Sequence, residues 1–173
     1  MKKILLLLLA LGGLGCSSIQ VHHDYEPGVD WSAYRTFNFF PGMQTGLSDL
    51  DAGRLTDVLA EVMRDKGYQQ SEEPDLLLNI YSDVYEDGPP STVGIGMGGT
   101  GGNVGGGVSV GIPVSGSNLA RVITFDLFDT ASKSVLWQAV STERFHEGAT
   151  PEQREERFRQ IAQRAFAKFP PGR

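Results

Sequence analysis

Ile4 to Leu11 are eight consecutive apolar residues, and they directly follow Lys2 and Lys3. At a helical rise of ~1.5 Å per residue the run reaches only ~12 Å, less than half of a ~30 Å hydrocarbon core. A run this short cannot span a membrane, and a basic start followed by a short apolar run is typical of a secretory signal peptide. We assign residues 1–15 to that peptide, so the folded domain has to come from the rest of the chain.

Cys16 is the only cysteine of the chain, and it follows the apolar run after Gly12, Gly13, Leu14 and Gly15. One cysteine cannot form an intramolecular disulfide or a multi-cysteine zinc site. The segment Gly13-Leu14-Gly15-Cys16 resembles the lipobox of bacterial lipoproteins. The resemblance implies a lipidated cysteine, acylated for example with palmitate, as the mature amino terminus. The alternative is ordinary signal-peptidase cleavage after Gly15, which leaves Cys16 as a free thiol.

Ser17 occupies the position at which Asp retains lipoproteins of this type in the inner membrane. The resemblance therefore implies the periplasmic face of the outer membrane, with residues 16–18 as the lipidated amino terminus and a short tether. Cleavage removes Lys2 and Lys3 but no acidic residue, which changes the net charge from −6 to −8. Nucleic acid is disfavoured as a partner, because it binds basic surfaces. We expect the membrane to be reached through the lipid on Cys16 and not through a polybasic patch.

Apolar periodicity predicts the element order ββαβββα, with helices that begin after the caps Ser48 and Thr150. Each helix has a single apolar stripe, and two such helices are expected to cover one face of a sheet. The predicted fold class is α+β, a two-layer α/β sandwich with a mixed, largely antiparallel sheet of about five strands. A single domain is expected over residues 19–172. The expected strands lie over 19–23, 33–40, 76–85, 121–128 and 135–145.

Six short motifs of this domain stand out by their order and spacing. In chain order they are Asp30-Trp31-Ser32-Ala33-Tyr34-Arg35-Thr36-Phe37, Lys66-Gly67-Tyr68, Pro74-Asp75-Leu76-Leu77, Asp126-Leu127-Phe128-Asp129, Val135-Leu136-Trp137 and Phe169-Pro170-Pro171. Together they resemble a bacterial lipoprotein family known as domain of unknown function 4136 (DUF4136), over roughly residues 19–172. The resemblance implies an envelope lipoprotein domain without an assigned activity.

Ten of the eighteen residues from Gly94 to Gly111 are glycine, and ordering so many glycines costs much conformational entropy. We expect a flexible insertion at about 88–118, outside the core. Its flanks alternate apolar residues with glycine or serine, which predicts at best a marginal two-stranded arm. Such an apolar edge can bind a partner strand or rest on lipid. The candidate interaction arm consists of Val93, Ile95, Met97, Val108, Val110 and Ile112.

One pentapeptide in this insertion matches a catalytic motif. Gly107-Val108-Ser109-Val110-Gly111 fits the G-x-S-x-G of serine hydrolases, and Asp126, Asp129 and His146 follow in triad order. The motif requires a helix directly after the serine, and Pro113 with further loop residues makes that helix unfavourable. We therefore expect no enzyme. An envelope serine hydrolase that uses Ser109 is the alternative.

The remaining ligand-binding patterns are weak. Gly94 to Gly99 fits G-x-G-x-x-G, but no predicted helix follows to bind a pyrophosphate. His22 and His23 are adjacent, so on a strand their side chains point to opposite faces and cannot share a metal ion. We expect no nucleotide, no metal site and no cofactor other than the covalent lipid on Cys16.

The main hypothesis is therefore an outer-membrane-anchored periplasmic lipoprotein with a non-enzymatic binding or scaffolding role in the cell envelope. Its expected partners are the membrane, through the lipid anchor, and other envelope proteins. A carrier that holds an apolar ligand between the sheet and the helices is a further alternative, and an internal cavity would be its sign.

Overall fold

The computed structural model describes residues 19–86 and 119–172, together with the backbone of 92–94 and 111–113. Two short 3₁₀ helices, Trp31–Ala33 and Phe166–Lys168, accompany the main elements. The main elements, in chain order, are β1 (Gln20–Tyr25), β2 (Thr36–Phe39), α1 (Asp49–Asp65), β3 (Gln69–Gln70), β4 (Leu76–Glu86), β5 (Thr92–Gly94), β6 (Gly111–Pro113), β7 (Leu119–Asp129), β8 (Val135–Arg144) and α2 (Pro151–Ala165).

Six of the strands form one sheet in the order β1-β8-β7-β4-β2-β3. Strand β2 pairs in parallel with β3 and β4, and the other neighbours are antiparallel. The sheet is mixed and largely antiparallel, and the fold class is α+β, as predicted. The sheet has six strands, whereas about five were predicted. The predicted order ββαβββα contains the long elements in the right sequence but lacks the short strands β3, β5 and β6. The additional strand β3 follows α1, and its two exposed residues are too few for any alternation to show.

Both α-helices begin at the predicted caps. The Ser48 hydroxyl accepts from the Asp51 N–H, and Thr150 and Gln153 form a reciprocal capping box. Helix α1 ends before Gly67, which adopts the positive φ of 91° that this cap position favours. Within the described ranges, no helix is long and apolar enough to cross a membrane.

The core lies between the two helices and one face of the sheet. Alternate residues of β4, β7 and β8 point towards the helices, because successive side chains of a strand face opposite sides. On the opposite face no described helix covers these strands, and Tyr81 is 54% exposed. The largest buried side chains of this core are Phe37, Leu76, Leu78, Ile80, Ile123, Phe125, Trp137, Leu55, Leu59, Met63, Phe158 and Phe166.

The loop between β2 and α1 covers the edge of β4 beyond its short pairing with β2. The Ser82 N–H donates to the Thr45 carbonyl at 2.7 Å, and the Phe40 N–H donates to the Leu78 carbonyl at 2.9 Å. Gly46 lies directly against the Ser82 carbonyl with a φ of +71°. The loop thus continues the hydrogen bonding of an otherwise open strand edge.

Candidate functional site

Most site residues predicted from the sequence lie outside the described residues. Cys16, Ser109 and four members of the candidate arm belong to this group: Ile95, Met97, Val108 and Val110. The other two members are register partners, since β5 and β6 form a separate antiparallel pair in which Val93 lies opposite Ile112. The role of the arm as an interaction surface stays a prediction.

In the hydrolase alternative, the candidate base His146 lies far from the candidate acids Asp126 and Asp129. The Phe145 N–H donates to the Leu119 carbonyl, so His146 lies beside the start of β7. Asp126 is seven residues further along β7, about 23 Å away at ~3.3 Å per residue. Asp126 accepts from the Gln138 side chain at 2.7 Å, whereas Asp129 accepts from the Ala131 N–H in the following turn. The fold does not bring these carboxylates to His146.

The two adjacent histidines point to opposite faces of the sheet, as predicted. The His23 Nε2 lies 2.7 Å from the Ala165 carbonyl on the helix side, whereas His22 is exposed opposite Val140. Among the described residues, no three His, Cys, Asp or Glu side chains form a group that could hold a metal ion.

One end of the sheet holds Ile19 together with Glu86 and Leu119, the described residues that border positions 87–118. Gln20, Thr142, Val122 and Asp83 lie side by side across β1, β8, β7 and β4. Beyond this row, on the same side, lie Ile19, the carboxyl ends of β4 and β8, and the start of β7. We call this the Ile19 end, and the opposite end, where β1 finishes, the Tyr25 end.

A buried charge cluster lies beneath the Ile19 end, between the sheet and α2. Glu143 is 4% exposed and forms an ion pair with Arg157 of α2. Its neighbour across the strands, Arg121, is 6% exposed and places its guanidinium 3.9 Å from the Phe145 ring centre. Burial raises the pKa of Glu143, and Arg157 and Arg121 oppose part of that rise. Burial likewise lowers the pKa of Arg121.

The amino-terminal turns of the two helices meet beside this cluster. Asp51 of α1 is 4% exposed and accepts from Arg54 and from Arg154 of α2, each at 2.8 Å. Arg154 also donates to the Ala149 and Glu147 carbonyls of the preceding loop. A carboxylate near a helix amino terminus is favoured by the helix dipole. The arrangement fixes the two helices relative to each other and has the character of a structural network.

The six sequence motifs meet mainly near the Tyr25 end. The Phe169 ring lies 5.2 Å from Trp31, 5.5 Å from Tyr68 and 5.1 Å from Trp137, measured between ring centres. The Asp75 carboxylate accepts from the Arg35 and Thr36 N–H groups, and these bonds lower its pKa. The motifs thus join distant parts of the chain through packing and backbone hydrogen bonds, which accounts for them without a catalytic role.

An open groove of about 660 Å³ lies at the Tyr25 end, beside these motifs. The Lys66 ammonium group donates to the Phe169 carbonyl at 2.7 Å, and burial lowers its pKa. The groove is open to solvent, so it is not the internal cavity expected of a carrier for an apolar ligand. Its lining consists of Tyr25, Asp65, Lys66 and residues 167–172.

The buried charges were not among the residues predicted from the sequence. The alternation of inward-facing residues along the strands is the signal that could have indicated them. Arg121 shares the alternation of Ile123 and Phe125, so its position predicts an inward-facing side chain. Glu143 has the same relation to Ala139 and Ser141 on β8. A charge at an inward position implies a partner, but only the register identifies which residue that partner is.

The comparisons with known proteins agree on the fold. The DUF4136 family model, described as a domain of unknown function, matches residues 21–171. No curated protein matches the chain in sequence. A PDZ domain protein from Parabacteroides distasonis superimposes with a TM-score of 0.56 at 13% identity, over 99% of this chain and 41% of that one. The chain thus spans about two fifths of the length of that protein.

A second solved structure has a similar fold. It is the PelC dodecamer from Paraburkholderia phytofirmans, with a TM-score of 0.51 at 11% identity. The superposition covers 87% of this chain and 96% of that chain. At this identity the likeness shows a shared fold and carries no activity over to this chain.

Proposed function

The chain belongs to the DUF4136 family, and from this membership together with its amino-terminal sequence we propose that it is a lipid-anchored lipoprotein on the periplasmic face of the outer membrane. Its role is a non-enzymatic one, the binding or scaffolding of other envelope components. The observation that carries the proposal is the position of Cys16. It follows the apolar run of a signal peptide after the four residues 12–15, and it precedes the buried Ile19 by three residues.

The short link supports anchoring of the folded body itself. Three residue steps of at most ~3.5 Å give a reach of about 10 Å from Cys16 to Ile19. Ile19 is 6% exposed, and its carbonyl accepts from Arg164 at 3.0 Å. A lipid on Cys16 therefore holds the domain against the membrane and not at the end of a long tether.

Two features support a role without catalysis. Asp126 and His146, the partners that a Ser109 hydrolase needs, lie at different ends of β7. Buried carboxylates of the described residues, such as Glu143 and Asp51, are paired with arginines that join the helices to the sheet and to each other. A serine hydrolase stays the second candidate, and labelling of Ser109 by a fluorophosphonate probe would support it instead.

Replacing Cys16 with serine is expected to release the protein from the membrane fraction without unfolding it. The reason is that several acyl chains, at ~0.8 kcal/mol per buried CH₂, make anchoring effectively permanent, and serine offers no thiol for them. Fractionation of cells that express the full chain measures the effect. Ser18→Ala is the matched control and should stay with the membranes. Continued membrane association of the Cys16→Ser protein would place the anchor elsewhere.

Deletion of residues 94–111 tests the glycine-rich arm as the surface that binds envelope partners. The deletion joins Val93 to Ile112, which lie opposite each other in the β5–β6 pair, so the new connection is short. We expect the melting temperature to change little, while crosslinking to other envelope proteins falls. A large loss of stability would make the segment part of the core, and unchanged crosslinking would make it a passive linker.

A further inference from the structure

The link from Cys16 reaches the sheet at its edge strand. Ile19 precedes β1, and its burial and the bond from Arg164 keep it in place. If Cys16 carries lipid, its Cα lies in the headgroup region of the membrane. Ile19 itself must then lie within about 10 Å of that region, because three residue steps allow no more.

Two exposed side chains of β4 lie at this end and extend past the level of Gln20. Val84 is one residue beyond the row of Gln20 and Asp83, and Tyr85 is two residues beyond it, about 7 Å further along the strand. Val84 is 40% exposed and Tyr85 is 44% exposed. Since β4 is three strands away from β1, these side chains lie about 14 Å to the side of the link.

The chemistry of these side chains suits a membrane surface. Tyrosine has an apolar ring and a polar hydroxyl, and it is enriched at the level of lipid headgroups. Arg144, which is exposed in the same row as Tyr85, can donate to lipid phosphates. The neighbouring Glu86 is exposed and acidic, so the end is not a polybasic surface.

From this arrangement we propose that the Ile19 end rests on the phospholipid headgroup layer, with Tyr85 and Arg144 as its principal contacts. The proposal depends on the lipid anchor of the preceding section and adds an orientation to it. The sheet stands with its Ile19 end on the membrane, and the Tyr25 end with its groove faces the periplasm. In this orientation Tyr85 lies near the lipid headgroups, and Tyr25 lies far from them.

Site-specific photo-crosslinking in the full lipidated protein tests this orientation. The photoreactive residue p-benzoylphenylalanine replaces Tyr85, Tyr81 or Tyr25, three exposed tyrosines at different positions along the sheet. The proteins are placed in vesicles of zwitterionic phosphatidylcholine, so that net lipid charge does not drive the contact. After irradiation we expect many-fold more lipid adduct at position 85 than at position 25, with position 81 between them. A fourth protein carries the label at Arg144 and should behave like position 85.

Flotation of the vesicles before irradiation separates the two proposals. A chain that does not float with the vesicles contradicts the lipid anchor itself. A chain that floats but gives equal adducts at positions 85 and 25, or none at 85 and 144, overturns the orientation and leaves the anchor intact. A strong adduct at position 25 alone would mean that the orientation is the reverse of the one proposed. The thermal melt of each labelled protein shows whether the label has left the fold unchanged.

Discussion

Replacing Gly46 with alanine is expected to lower the free energy of unfolding by about 3 to 5 kcal/mol. Gly46 has a φ of +71°, and a Cβ built on it overlaps the backbone carbonyl oxygen of Ser82. The carbonyl belongs to β4, which is held by β7 on one side and by the bond from the Ser82 N–H to Thr45 on the other. The strand has no room to move aside, so the loop has to detach.

The matched control for this prediction is Gly42→Ala. Gly42 lies in the same loop with a φ of +69°, but no atom lies within 4 Å of a Cβ placed there. Alanine at this position should lower the free energy of unfolding only by the cost of the left-handed backbone conformation, about 1 to 2 kcal/mol. Urea unfolding of both variants measures the difference. Equal losses would show that the backbone conformation, and not the contact with Ser82, makes Gly46 necessary.

The fold class could be predicted because its signals are local. The caps at Ser48 and Thr150 and the alternation over 76–85 each depend on residues that are close in sequence. The strand predicted over 33–40 is shorter in the structure, since Trp31–Ala33 forms a 3₁₀ helix and β2 begins at Thr36. That turn is stabilised by the Asp30 side chain, which accepts from Ser32. Strand β3 pairs with β2 after the long helix α1, and no local pattern indicates such a pairing.

The arrangement at the two ends of the sheet could not be predicted, because it depends on register. The sequence indicates that Ile19 begins a strand, but not that this strand is an edge beside β8. The same holds for Phe169, whose contacts with Trp31 and Tyr68 join segments about 100 or more residues apart. Long-range pairings of this kind follow from the packing of the whole core and not from any short segment.

Replacing Arg157 with methionine is expected to cost about 3 kcal/mol of stability at pH 7. The side chain of Glu143 is 2% exposed, and burial raises its pKa, while Arg157 from α2 and Arg121 from the neighbouring strand oppose part of that rise. Methionine fills a similar volume without a charge, so the carboxylate loses its ion-pair partner and Arg121 offsets only part of the loss. Arg159→Met is the control, and it should change little because its partners Glu61 and Glu155 are exposed.

The pH dependence identifies Glu143 as the cause of that cost. Burial raises the pKa of Glu143 above its ordinary value of 4.5, so the folded state holds this proton more tightly than the unfolded chain. This tighter proton binding stabilises the folded state in full when the pH is below the ordinary pKa. The stabilisation is lost as the pH rises through the higher pKa of the folded state. Without Arg157, which lowers this pKa, the loss should extend to higher pH and become larger.

A second substitution at the same pair completes the test. Adding Glu143→Gln to the Arg157→Met protein removes the carboxyl group, so most of the lost stability should return at pH 7 and the dependence of stability on pH above 4.5 should flatten. Urea unfolding at several pH values provides both measurements, and the single Glu143→Gln protein completes the double-mutant cycle. If the double variant is as unstable as Arg157→Met alone, the cost comes from other contacts of Arg157, and the buried pair does not hold α2 on the sheet.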